Sequence, residues 1–300
     1  MGAAPQTQRR WATLIGITAV LMWATLAALS AASGRVPPFQ LTAMTFLVGG
    51  MVGAASWLFR PGAVRVLKQD WRVWALGVGG LFGYHAVYFS AIRAIPAVEA
   101  SLIAYLWPLF MVVFSSFLPG ERLRGHHLIG VVLGLMGAAL VITRGEGLGF
   151  AGGLSQGHLL AFACAFIWAG YSVLSRRFAG VSSDVVAGFC LVTAVLAGLT
   201  HLATETTVWP ETLRQWLAVL GLGLFPVGAA FYVWDFGVKR GDIMVLGAAS
   251  YLSPLLSTLV LVAVGLAPAH WSVWAACLLI TAGALIAARD MLFKRRGNKN

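Results

Sequence analysis

Ten stretches dominated by apolar residues follow one another along the chain, at residues 12 to 33, 39 to 59, 71 to 92, 96 to 118, 126 to 143, 157 to 176, 184 to 203, 214 to 236, 242 to 264 and 271 to 288. Each is about the roughly 20 residues that a helix needs to cross the hydrocarbon core of a bilayer. The pattern predicts an all-α integral membrane protein with ten transmembrane helices. Arg9 and Arg10 precede the first run and "SAAS" closes it, which imitates a secretory signal. That run is longer than the roughly 7 to 15 residues of a signal core, so it reads as a retained helix.

Composition agrees with this reading. Hydrophobic residues make up 59% of the 300 positions and charged ones 10%, against about one quarter charged in soluble domains. A formal net charge of +11 would suggest a nucleic-acid partner in a soluble protein, but its distribution says otherwise. With the N-terminus in the cytoplasm, 17 of the 21 lysines and arginines fall on the cytoplasmic side and only Arg35, Arg93, Arg144 and Arg214 on the other. That is a strong positive-inside bias. Both termini are expected to face the cytoplasm, and the basic excess belongs to orientation and lipid headgroups. The lipid bilayer is thus a partner, and nucleic acid is not.

The chain resembles itself at half its length. An offset of 146 places Tyr105, Leu106, Pro108 and Leu109 on Tyr251, Leu252, Pro254 and Leu255, and Arg93 on Lys239; an offset of 145 places Trp23, Ala24, Leu29 and Ser30 on Trp168, Ala169, Leu174 and Ser175. Five spans per half is an odd number, so the second half enters the membrane from the opposite side. The expected organisation is a first repeat at 1–146, a glycine-rich linker at 147–156, and a second, inverted repeat at 157–300 with a basic tail. Two inverted halves can exchange conformations and open a central cavity to one side and then the other.

Proline marks where that cavity should lie. Pro108, Pro254 and Pro226 sit near the middles of spans four, nine and eight, where each removes a helical hydrogen bond and frees the carbonyl four residues earlier: Ala104, Ser250 and Leu222 respectively. Backbone unpaired at membrane depth is tolerated where protein or a watery cavity satisfies it. These prolines are therefore candidate hinges. The cavity walls would come from Tyr84, His85 and Tyr88, which share a face of span three. Tyr105 and Trp107 beside Pro108, Ser250 and Tyr251 beside Pro254, and Trp168 in mid-span six complete the candidate set. Trp23 is likewise mid-span. Trp11, Trp57, Trp71, Trp74, Trp209, Trp216, Trp271 and Trp274 lie near span ends and read as an interfacial belt.

Other chemistry is sparse. Cys164, Cys190 and Cys277 are not spaced as metal ligands, and His126 and His127 lack further ligands, so no metal is expected. The absence of P-loop, GxSxG and HExxH motifs gives no support to ATP hydrolysis or the common hydrolases, and no cofactor is implied. Glu99 is expected beside Arg93, and Asp235 beside Lys239. With no acidic pair at mid-membrane, facilitated transport is favoured over tight proton coupling. Gly130, Gly134 and Gly137 give span five a small-residue face suited to tight packing or dimerisation, so the chain is expected as a monomer or weak dimer.

The segments "AYLWP" (104–108), "AFIWAGYSVLSRR" (165–177) and "GDIMVLGAASYLSPLLSTL" (241–259), in ten spans built as two repeats, resemble the EamA-like drug/metabolite transporter superfamily. The resemblance implies a bacterial inner-membrane exporter of aromatic and other neutral amino acids, and of flat cations such as methyl viologen. It places the central cavity on Tyr84, His85, Tyr88, Tyr105, Trp107, Trp168, Ser250 and Pro254. Aromatic walls suit stacking on an aromatic side chain and cation–π contact with a planar cation alike. Three alternatives stand beside amino acid export: export of planar organic cations or drugs, a membrane-embedded enzyme using His85 and Asp235, and a passive assembly subunit.

Overall fold

A computed structural model describes residues 6–60, 62–146, 155–265, 268 and 270–289. Most of the expected linker and the basic tail beyond residue 289 lie outside the described residues. Fourteen α-helices form the described chain: α1 (Gln6–Trp23), α2 (Leu26–Ala32), α3 (Pro38–Ala55), α4 (Trp71–Ala94), α5 (Ala97–Ala104), α6 (Trp107–Ser115), α7 (Gly125–Ile142), α8 (Gln156–Leu174), α9 (Val186–Thr204), α10 (Leu213–Leu224), α11 (Ala230–Arg240), α12 (Ile243–Ala249), α13 (Leu252–Ala263) and α14 (Trp271–Ala287). Taken with their interruptions they make ten spans, because α1 continues into α2, α5 into α6, α10 into α11 and α12 into α13. Eight are long apolar helices and two, Glu99–Ser115 and Trp271–Ala287, are shorter. The protein is a multi-pass membrane protein.

The packing has the symmetry of an inverted repeat. The most extensive helix pairs are α7 with α14, α3 with α9, α4 with α8, and α1 with α11. In span numbers these are five with ten, two with seven, three with six, and one with eight. Exchanging the halves maps the first two pairs onto themselves and the last two onto each other, as a pseudo-two-fold axis requires. Glycine permits the close crossings. A Cβ at Gly130 would lie 2.6 Å from the Gly283 carbonyl oxygen, and one at Gly16 would lie 3.0 Å from the Gly237 Cα. The α7 glycines face α14 and the Tyr251 ring, so that small-residue face is used inside the molecule.

Two of the three prolines, Pro108 and Pro254, start helices rather than bend them. α5 ends at Ala104 and α6 begins at Trp107, which puts Pro108 in a first turn where its missing N–H costs nothing. Pro254 likewise sits in the first turn of α13, after a break at Ser250 and Tyr251. The Ser250 carbonyl, expected to be free, accepts the Ser253 N–H at 3.0 Å. Pro226 lies within a π-helical turn, Phe225–Ala229, between α10 and α11. The first span also breaks, at Ala24 and Thr25, which no proline announced. There the Thr25 hydroxyl donates to the Met22 carbonyl at 2.8 Å, competing with the helix ladder.

Polar groups gather at the two ends of the bundle. At the end rich in lysine and arginine, Glu121 takes Arg9 at 2.9 Å and also Arg176, and Arg9 reaches Asp242 at 3.1 Å. Lys239 pairs with Asp235 at 2.8 Å, as expected. At the opposite end Glu205 accepts the Phe39 and Gln40 N–H groups at the start of α3, where a helix favours an anion. It also takes Arg93 at 2.7 Å and His201 at 3.0 Å. Glu99 pairs with His158 at 3.0 Å, so the expected contact with Arg93 is replaced on both sides. Of the eight belt tryptophans, Trp74 turns inward against Phe189, 5.5 Å between ring centres.

Candidate functional site

Between the halves, near mid-span, lies a cavity of about 120 Å³. Each wall residue is placed by a feature of its helix. Trp23 is the last residue of α1, where the chain breaks, and its indole N–H donates 3.0 Å to the Pro226 carbonyl in the π-helical turn. Trp107 is the first residue of α6, set by the break before Pro108. Trp168 projects from α8, Tyr84 and His85 from α4, and Phe231 from α11. Leu26, Pro226 and Val227 complete the lining.

The aromatic rings form one connected assembly. Trp23, Trp107 and Trp168 meet edge to face with ring centres 5.9 to 6.4 Å apart, the geometry their quadrupoles favour. Tyr84 leans on Trp168 at 5.3 Å. Phe231 lies 5.7 Å from Trp168 and stacks on Phe46 at 5.4 Å. Towards the basic end Trp234, fully buried, stands behind the lining, 5.0 Å from Trp23 and tied by its indole N–H to Ser172 Oγ at 3.1 Å. Asp235, the next residue, pairs with Lys239 one turn further along α11.

His85 is the residue with the most defined hydrogen bonding. Its Nδ1 is 2.7 Å from the Leu81 carbonyl. A carbonyl only accepts, so Nδ1 carries the proton, and in the neutral ring Nε2 is an acceptor. The edge-to-face Phe46 ring, 5.1 Å away, fixes the imidazole plane. Among the described residues no carboxylate lines the cavity.

Of the residues expected at the site, Tyr84, His85, Trp107, Trp168 and Pro226 line the cavity together. Tyr88 stands one layer back, stacked on Tyr84 at 6.0 Å and bonded through its hydroxyl to Ser101 at 2.8 Å. Tyr105 packs against the same core without lining the cavity. The Ser250 hydroxyl is buried and donates to the Leu246 carbonyl at 2.7 Å, while Tyr251 is buried against Gly134. Both lie outside the lining, as do Pro108 and Pro254. Leu26, Val227 and Phe231 in the lining, and Trp234 behind it, were not anticipated. Trp234 lies two residues from the end of the apolar run at 214 to 236, so position along the span did not single it out as it did Trp168; Phe231 precedes it by three residues on the same helix face.

Comparison with known proteins fits this geometry. The family model described as "EamA-like transporter family" matches residues 10–143 and 155–289, one match for each half. The chain belongs to the EamA-like transporter family. A protein of Ancylobacter novellus named aromatic amino acid exporter YddG is 54% identical over 280 residues, covering 93% of this chain and 97% of the relative. The protein of that name from Escherichia coli K12 is 26% identical over 309 residues, covering 96% and 99%. The pseudopaline exporter CntI of Pseudomonas aeruginosa PAO1 is 26% identical over 219 residues, 71% of this chain and 73% of the relative. A solved crystal structure 51% identical to this transporter superposes with a TM-score of 0.88, covering 96% of this chain and all of the other.

Proposed function

We propose that this transporter exports aromatic and other neutral amino acids across the bacterial inner membrane by alternating access. The observation that carries the reading is the cavity itself, walled on three sides by tryptophans with Tyr84 and Phe231 between them. Such a wall offers faces and edges to a flat side chain. The relatives named as aromatic amino acid exporters support the same substrate class.

The zwitterionic part of the substrate needs polar partners that do not impose net charge. His85 Nε2 as acceptor, the Tyr84 hydroxyl and the backbone around the π-helical turn supply them. A cavity of about 120 Å³ is well below the roughly 300 to 1,000 Å³ of common ligand sites, so loading requires the walls to move. The positive-inside bias supports an orientation with both termini and the basic end facing the cytoplasm. The described conformation is then closed towards the cytoplasm by Trp234 and the ion pairs beyond it. That no carboxylate among the described residues lines the cavity supports facilitated rather than tightly proton-coupled export. His85 and Asp235 occupy different helices and are committed to different partners, Leu81 and Lys239, which supports a transporter without covalent chemistry.

Counterflow of labelled tryptophan into liposomes containing the purified full chain, with and without a proton gradient, tests the reading. Saturable exchange indifferent to the gradient is the expected result. Exchange of a methyl viologen-like dication without exchange of tryptophan would replace amino acids by planar cations at the same aromatic walls.

A further inference from the structure

A second and larger cavity, about 1040 Å³, opens at the basic end between α1, the ends of α8 and α11, and the turn after α6. Two chemistries line it. Arg9, Arg176, Arg177, Lys239 and Arg240 contribute five cations, and among the described residues no carboxylate stands on the wall. Trp11, Ala12, Ile15, Leu118 and Phe236 contribute apolar surface.

The charges do not balance. Glu121 and Asp242 are engaged by Arg9 and Arg176, and Asp235 by Lys239. Arg177 and Arg240, both exposed, have no acidic partner among the described residues. Arg240 is held over the Phe236 ring at 4.7 Å, where apolar and cationic surface meet. Arg9 also leaves its buried Nε without an acceptor. A net anion is therefore favoured here, and a zwitterion is not. Guanidinium groups match the oxygens of a phosphate in geometry as well as charge.

We infer that this cavity binds the phosphate of an acidic glycerophospholipid, with the upper part of an acyl chain along Trp11, Ile15 and Phe236. The same phosphate chemistry could come from free inorganic phosphate. The apolar half of the wall selects the lipid, since a small hydrated anion gains nothing from it. The position fits too: the cavity is at helix ends beside Trp11, which is 62% exposed, at the depth where headgroups meet basic side chains.

Native mass spectrometry of the detergent-purified full-length protein, titrated with phosphatidylglycerol or with phosphatidylcholine of the same acyl chains, tests the site. The expected result is preferential retention of phosphatidylglycerol. Each arginine near the headgroups contributes about fivefold, so R177Q/R240Q should weaken phosphatidylglycerol binding by roughly 25-fold. Both residues are at the surface, and unchanged melting without lipid will report that the variant is folded. R65Q/K68Q, an exposed basic pair outside the cavity, should keep the preference. Equal retention of the two lipids, or an equal loss in both variants, would overturn the inference. Displacement by millimolar inorganic phosphate would make this a small-anion site, and displacement by tryptophan a substrate path; either result would also overturn it.

Discussion

Glu121→Gln removes one charge from the point where four segments meet at the basic end. Glu121 is 9% exposed and sits between Arg176, 16% exposed, and Arg9, 37% exposed. A hydrogen bond to a charged partner contributes about 1.5 to 3 kcal/mol when shielded, so the Arg176 contact is worth about 2 kcal/mol. The Arg9 contact is more open to water and is worth about 0.5 kcal/mol. Glutamine still offers a neutral acceptor, returning about 1 kcal/mol. The net loss is about 1.5 kcal/mol, a roughly tenfold change in an equilibrium between closed and open forms of that end.

Ser172 reports on the equilibrium because it is fully buried beneath the central cavity and bonded to Trp234. In a background with Cys164, Cys190 and Cys277 replaced by alanine, Ser172→Cys should react with a membrane-impermeant maleimide from the basic side. Adding Glu121→Gln should raise that rate about tenfold. A rate unchanged within twofold, alongside a lowered melting temperature, would refute the reasoning. The cluster would then support the fold without taking part in the gate.

His85→Ala and Trp107→Ala should impair tryptophan counterflow without lowering the amount inserted; for Trp107→Ala, loss of one aromatic face at about 0.5 to 1.5 kcal/mol corresponds to a KM raised about 2- to 12-fold. Normal transport in both would displace the substrate from this cavity. Trp23→Phe keeps a ring but leaves the Pro226 carbonyl without its donor; a stability loss near the average of about 0.6 kcal/mol for membrane hydrogen bonds should accompany a clear fall in exchange rate, and unchanged exchange would reduce that bond to packing. Gly130→Val, at the close crossing with Gly283, should cost about 1 to 3 kcal/mol by overpacking and lower the melting temperature, whereas Gly79→Ala, with open space at its Cβ, should leave it unchanged. Glu205→Gln, which weakens bonds to the α3 amides as well as to Arg93, should lower the melting temperature more than Arg93→Gln.

The spans were legible because each apolar run is long enough to be counted, and the repeat because Tyr, Leu and Pro recur at one offset. The breaks were legible only where proline stands. The break after Trp23 depends on Thr25 bonding back to Met22, a choice that many membrane threonines decline. Half of the expected wall failed to reach the cavity for a related reason. Ser250 and Tyr251 flank a break, but the Ser250 hydroxyl satisfies its own helix and the Tyr251 ring fills the space left by Gly134. Adjacency to a helix break locates a residue along the membrane normal. It does not say which way the side chain turns: Ser250 is turned by a carbonyl of its own helix and Tyr251 by a glycine on a neighbouring one.

The departures from symmetry bear most directly on transport. Two identical inverted halves would favour neither end, so the closed end must be chosen by features that the halves do not share. α1 breaks at Trp23 while its counterpart α8 runs unbroken from Gln156 to Leu174, and the π-helical turn at Phe225–Ala229 has no equivalent in α4, which is continuous from Trp71 to Ala94. These two unshared deformations meet in one contact, the bond from Trp23 to the Pro226 carbonyl, at the wall of the cavity. A substrate that stacks on Trp23 therefore touches the residue that joins the two asymmetric elements. Binding energy gained there can act on the bias between the two open forms only if the Trp23 bond differs between them. Trp23→Phe separates that coupling from simple stacking.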